Sequence, residues 1–172
     1  QKPRCLTGRI EIDMLQITPV SDRSDLRAFI ELPNRIYVGQ QGFEPPLNMD
    51  RDMLLNPRRS AFWKHGRVKY WLAMRDGLPV GRISAQIDPN MPVGIEPGAG
   101  MFGCLDAIDD AEVVRLLVET AEQWLVAEGC TIIFGPCTLD MNDEPGLLVE
   151  GADQPAMTLC PWHPPYIGPH LE

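Results

Sequence analysis

The chain has 172 residues, 44% of them hydrophobic and 23% charged, enough for one globular domain with a real core. It holds no apolar run long enough to span a bilayer and opens on no signal-peptide pattern, so it reads as a cytoplasmic protein. The net charge of −9 is unevenly divided: residues 1–82 carry 14 Lys and Arg against 9 Asp and Glu, whereas 83–172 carry Arg115 alone against 15 acids. That acidic half, with no basic stripe of interleaved aromatics anywhere, excludes general nucleic-acid binding.

Residues 1–14 read as an N-terminal extension, since Gln1 is no initiator and Met14 suits a natural start. Residues 10–20 suit a first strand, with Leu15 and Ile17 on one face. Ser21 or Asp22 can cap a helix that turns Leu26, Phe29, Ile30 and Leu32 inward and that Pro33 interrupts. Residues 34–60 are rich in turn signals (Gln40-Gln41-Gly42, Pro45-Pro46, Asn56-Pro57), with a short helix over 49–55. Residues 68–75 and 78–87 form the clearest β signal, a hairpin about Asp76-Gly77, a dipeptide that takes the positive φ of a type I′ turn. Val68, Tyr70, Leu72 and Met74 share one face of the first strand, and Gly81, Ile83, Ala85 and Ile87 one face of the second.

After a Pro- and Gly-rich loop over 88–98 comes a short strand, 99–105. Its Gly100 and Gly103 mark a bulge or a close backbone approach. An amphipathic helix over 109–129 follows, opened by the capping-box pair Asp109 and Glu112 and closed by Gly129. Val114, Leu117, Val118, Ala121, Trp124 and Leu125 recur on one side at helical spacing. Thr131-Ile132-Ile133-Phe134 then reads as a central strand buried on both faces. Residues 141–146 are turn chemistry, 147–149 suit a short strand or helical turn, and 160–166 are irregular. The chain is expected to continue past Glu172.

This order of elements is that of the first two-thirds of the GNAT acyltransferase fold. Three strings resemble a bacterial family of GNAT-like acyltransferases: Phe62-Trp63-Lys64-His65-Gly66, the run from Trp71 to Ala85 around Asp76-Gly77, and Asn142-Asp143-Glu144 followed by Gly146-Leu147-Leu148-Val149-Glu150-Gly151. The resemblance implies an α/β (α+β) domain over 15–172, with a mixed, mainly antiparallel sheet flanked by helices, as the N-terminal half of a longer tandem protein. It implies transfer of an acyl group from a CoA or carrier thioester to an amine, in some relatives a lipid amine. Acyl-CoA would be co-substrate, and the amine and the rest of the same chain would be partners. A homodimer is left open. One departure bears on the donor. Where such enzymes carry a Gly-rich pyrophosphate loop before the long helix, this chain has Cys104-Leu105-Asp106-Ala107-Ile108-Asp109-Asp110, with three carboxylates and no cation. The alternative is therefore a non-catalytic half that serves as scaffold or acceptor groove.

For cofactor contact the resemblance points to Gly100, Phe102 and Gly103, against plain strand irregularity. Asn142, Asp143 and Glu144 follow the last strand, and a carboxylate there suits a general base; the alternative is a solvated turn. His65 is an acid/base candidate without a visible partner. The spacing of Cys160, His163 and His170 fits no standard zinc pattern, so no metal is expected. The five cysteines contain no C-x-x-C pair and read as reduced, mostly buried thiols, Cys104 and Cys137 among them. Trp162 and Tyr166, set among prolines, suit the cover of an apolar groove or, equally, packing onto the rest of a longer chain.

Overall fold

The computed structural model describes residues 14–91 and 94–172. Residues 10–13 of the expected first strand lie outside them. Strand β1 (Leu15–Pro19) leads into α1 (Arg23–Ile36), a short α2 (Asn48–Leu55) and a single 3-10 turn at Phe62–Lys64. The hairpin β2 (Arg67–Arg75) and β3 (Leu78–Ile87) is followed by β4 (Ala99–Ala107), α3 (Ala111–Ala127) and β5 (Ile132–Phe134), with α4 (Ile167–Leu171) near the C-terminus. The sheet order is β1-β2-β3-β4-β5; the first four strands are antiparallel and β5 runs parallel to β4. This is the mixed, mainly antiparallel sheet that the sequence implies. No helix among the described residues is long and apolar enough to cross a membrane.

The strand alternation explains the two layers. Trp71 and Ala73 of β2, with Ile83 and Ala85 of β3, pack under Val113, Val114, Leu117, Ala121 and Leu125 of α3. Tyr70 and Leu72 point to the opposite face and meet Leu26, Phe29, Ile30 and Leu32 of α1, joined by Leu55 and Phe62. The hairpin turns at Asp76 (φ 50°) and Gly77 (φ 79°), as a type I′ turn requires.

Four local readings need correction. Helix α1 passes through Pro33 to Ile36. Pro33 has no N–H for the Phe29 carbonyl, but Arg82 Nη1 donates to that carbonyl at 2.7 Å and supplies the missing bond. Strand β4 runs two residues beyond its expected end, so the cap of α3 moves to Asp110, whose carboxylate accepts from the Glu112 and Val113 amides at 2.9 and 3.4 Å. Strand β5 is an edge rather than a central strand among the described residues, and Ile132 is exposed. Residues 147–149 form neither strand nor helix, because the Leu148 amide is turned toward a side chain, His163.

Candidate functional site

The polar face of β3 is the origin of the site. Arg82, Ser84 and Gln86 alternate with the apolar residues beneath α3 and are buried on the α1 side of the sheet. Opposite them β4 is bulged. Ser84 pairs with Gly103 and Arg82 with Asp106, which leaves Cys104 and Leu105 against Ile83 alone; Cys104 takes φ 46°. Above the bulge lies a cavity of about 380 Å³. Its walls are loop 43–47, Arg51 of α2, Pro136, Thr138 and Glu144, and a strap over 156–163 closes one side. Trp162 anchors the strap, with its ring 5.3 Å from Tyr37 and 5.2 Å from Phe43 and its Nε1 donating to the Ala152 carbonyl at 3.0 Å.

The charges inside are paired. Arg51 reaches Glu144 with both terminal nitrogens, Nη1 donating to Oε2 at 2.8 Å and Nη2 to Oε1, and Thr138 Oγ1 donates to Glu144 Oε2 at 2.9 Å. Arg82 Nε donates to Asp106 Oδ2 at 2.7 Å. Burial pushes the Cys104 thiol up, so it enters the cavity wall as a thiol and not as a nucleophilic thiolate. His163 borders the same space, and burial pushes its pKa down.

No family model matches the chain. Over 159 residues it is 42% identical to a Caulobacter vibrioides protein named bacterial ceramide synthase, covering 92% of this chain and 41% of that one. It is 37% identical over 151 residues to Protein YghO of Escherichia coli, covering 88% of this chain and 38% of the relative. The chain thus spans about two fifths of the length of the curated relatives it matches. Among solved structures, an aminoglycoside N-acetyltransferase, AAC(6')-Iy in complex with CoA, superposes with a TM-score of 0.51 at 14% identity, over 75% of this chain and 82% of that one. A tandem GNAT protein from the clavulanic acid biosynthesis pathway gives a TM-score of 0.51 at 15% identity, over 70% of this chain and 35% of that one. The chain has the GNAT acyltransferase fold.

In this domain of GNAT fold Glu144 lines the cavity, while Asn142 and Asp143 do not. The Asn142 amide closes a turn onto Asp140 Oδ1 at 2.6 Å, and Asp143 faces a separate crevice beside Met53 and Phe62. His65 stands apart from the cavity, half-exposed, with Nε2 3.5 Å from Asp88 Oδ1 and its ring against Phe62. Both strand glycines make room for the protein itself. A Cβ at Gly100 would meet Leu125 and Cys130 at 2.7 and 2.8 Å, and one at Gly103 would meet the Cys137 carbonyl. The Phe102 carbonyl accepts from the Cys137 amide at 2.8 Å. Cys160 is exposed, His163 is buried and His170 bonds Asp109 at 2.8 Å, and no group of three or more metal-ligating side chains occurs among the described residues.

The N-terminus of α3, for which the sequence resemblance implies a pyrophosphate loop, is closed here. Asp110 occupies its amides and bonds Arg75 at 2.8 Å; burial pulls this carboxyl up, but Arg75 and the Glu112 and Val113 amides hold it below the usual range. Of the three carboxylates read there, Asp106 belongs to β4 and points to the cavity instead.

Asp143 carries a pH prediction. Its carboxyl is pushed up from 3.8 to about 6, first by burial and then by Asp140 and Glu144, against the pull of Arg51. The folded chain therefore holds this proton more tightly than the unfolded chain, and its loss subtracts stability as pH rises through that window. D143N, which cannot ionise, is expected to raise the urea midpoint at pH 8 and to raise it far less at pH 4, where only the unfolded carboxyl has begun to ionise. Equal shifts at both values would remove the ionisation cost as the cause.

Proposed function

We propose that the cavity over the β4 bulge is the acyl-transfer site of a GNAT-like N-acyltransferase that acylates an amine carried by a lipid. The observation that carries this reading is one cavity that joins a bulged backbone, the half-buried carboxylate of Glu144 and an aliphatic mouth. Leu47, Met157 and Leu159 are all more than 60% exposed and rim it, which suits an amphiphile whose chain lies at the mouth and whose head reaches the polar interior. The name of the Caulobacter relative supports a lipid amine, and the solved tandem GNAT supports residues 15–172 as one unit of a longer chain.

In the reaction the amine nitrogen attacks the thioester carbon. The C–N bond forms, the C–S bond breaks and sulfur leaves with the electron pair. The surplus amine proton passes to Glu144, oriented by Arg51 and Thr138, and from there to the departing thiolate. Cys104 and Leu105, which the bulge takes out of the strand register, are the backbone positions whose amides this reading assigns to the carbonyl oxygen where charge develops.

A second reading draws on the closed N-terminus of α3: a non-catalytic half that shapes the acceptor groove while the rest of the chain holds the donor. Calorimetric titration of palmitoyl-CoA, with thiol release in the presence of hexadecylamine, separates the two. Binding and turnover by this chain, with E144Q slower by about 10²-fold, support transfer here. Binding only by a chain continued past Glu172 supports the second reading, and no binding by either overturns both.

A further inference from the structure

His163 is 6% exposed, at the end of the strap where its ring borders the cavity. Its Nδ1 accepts the Leu148 amide hydrogen at 3.3 Å. A ring nitrogen that accepts carries no hydrogen, so the neutral imidazole holds its hydrogen on Nε2. Protonation would have to occur at Nδ1 and would set N–H against N–H. Burial opposes it as well, although Asp106 and Glu144 pull the other way. The ring is therefore a neutral donor.

Its other neighbours are committed elsewhere. Arg51 and Thr138 are turned onto Glu144, Arg82 onto Asp106 and the Phe29 carbonyl, and Trp162 Nε1 onto the Ala152 carbonyl. Nε2 of His163 has no acceptor among the described residues and is not fully sealed, and the residue itself lines the cavity. We infer that His163 is a fixed Nε2–H donor for the carbonyl oxygen of a bound acyl thioester, and that it keeps its proton throughout the transfer instead of acting as the base. This rests on the cavity being the acyl-transfer site. The histidine adds a side-chain donor to the bulge amides, and the oxygen takes up the negative charge while the amine proton travels by way of Glu144.

Nitrogen-15 NMR of histidine-labelled protein tests the donor without any turnover. The three histidines are assigned by comparison with H163Q. The expected spectrum has His163 as the Nε2–H tautomer, unprotonated from pH 8 to pH 6.5. An Nδ1–H tautomer, or protonation above pH 6.5, would overturn the assignment. Palmitoyl-CoA should then move the Nε2–H proton downfield. Binding seen by calorimetry with that proton unmoved sinks the inference and spares the site, whereas absence of binding sinks the site and leaves the tautomer to decide the donor. In kinetics, H163A is expected to lose about 10²–10³-fold in kcat, as for loss of one oxyanion donor. H163Q, which keeps an N–H near the same place, should recover to within about tenfold with the pH profile unchanged. If H163Q is as slow as H163A and the acidic limb of the profile disappears, His163 is the base.

Discussion

Replacement of Arg82 by methionine is expected to lower the unfolding free energy by about 3–5 kcal/mol, the range for stripping one partner from a buried ion pair. Arg82 is 5% exposed, and removal of its guanidinium leaves Asp106, 8% exposed, as a charge without its cation. It also leaves the Phe29 carbonyl with neither a Pro33 N–H nor a side-chain donor, and it removes the contact of the guanidinium with the Phe29 ring, 5.0 Å away. One residue thus secures the polar floor of the cavity and the prolyl break in α1. R82K keeps the charge but loses the fork, and its loss should fall between those of wild type and R82M. R82M/D106L, which removes both charges, should be less damaged than R82M alone, since the stranded carboxylate is the larger part of the cost. Urea denaturation of the full cycle measures the coupling. A loss below about 1 kcal/mol for R82M would mean that water reaches Asp106 and that this floor is not dry.

Helix α3 and the hairpin were legible because their signals are local. Val114, Leu117, Ala121 and Leu125 repeat at helical spacing and are buried on that face, and Asp76-Gly77 takes the two positive φ values its turn needs. The errors arose where the compensation is non-local. Pro33 ends a helix on local grounds, and only the Arg82 guanidinium, 53 residues beyond the Phe29 carbonyl it bonds, lets α1 continue. The apolar content of β5 suggested a strand covered on both sides. Which neighbours a strand has is decided by topology, and composition cannot show it.

The site was less legible for the same reason. Asn142, Asp143 and Glu144 stood out as a polar cluster, yet a turn sends successive side chains in different directions. Glu144, at φ 48°, reaches the cavity and Arg51, 93 residues away, while Asp143 faces another crevice. The sequence offers His163 only as a metal-ligand candidate, because Pro161 and Pro164 deny its segment any periodicity from which a facing direction could be read. Gly103 did signal a close backbone approach. The backbone that approaches is that of Cys137, not of a ligand.

That approach carries the other large effect. Gly103→Ala is expected to destabilise the chain by at least about 3 kcal/mol, the upper end for overpacking. A Cβ at this position would stand 1.7 Å from the Cys137 carbonyl oxygen and 2.5 Å from its carbon, both backbone atoms that no rotamer change can move. Retreat of that segment would give up the Cys137 amide bond to the Phe102 carbonyl and the bond from Gln86 Nε2 to the Cys137 carbonyl, at 2.8 and 2.7 Å. Gly77→Ala is the control: its position has positive φ but open space around it, so about 1 kcal/mol of local strain is the whole cost. Paired denaturation midpoints decide the matter, and a G103A shift no larger than that of G77A would mean that residues 135–138 do not pack over β4. The same segment leads into Thr138 and Glu144, so under the proposed function whatever G103A remains folded should also transfer acyl groups more slowly than its folded fraction explains. Full activity per folded molecule would separate the close packing at Gly103 from the placement of the carboxylate, and would leave Arg51 as the group that positions Glu144.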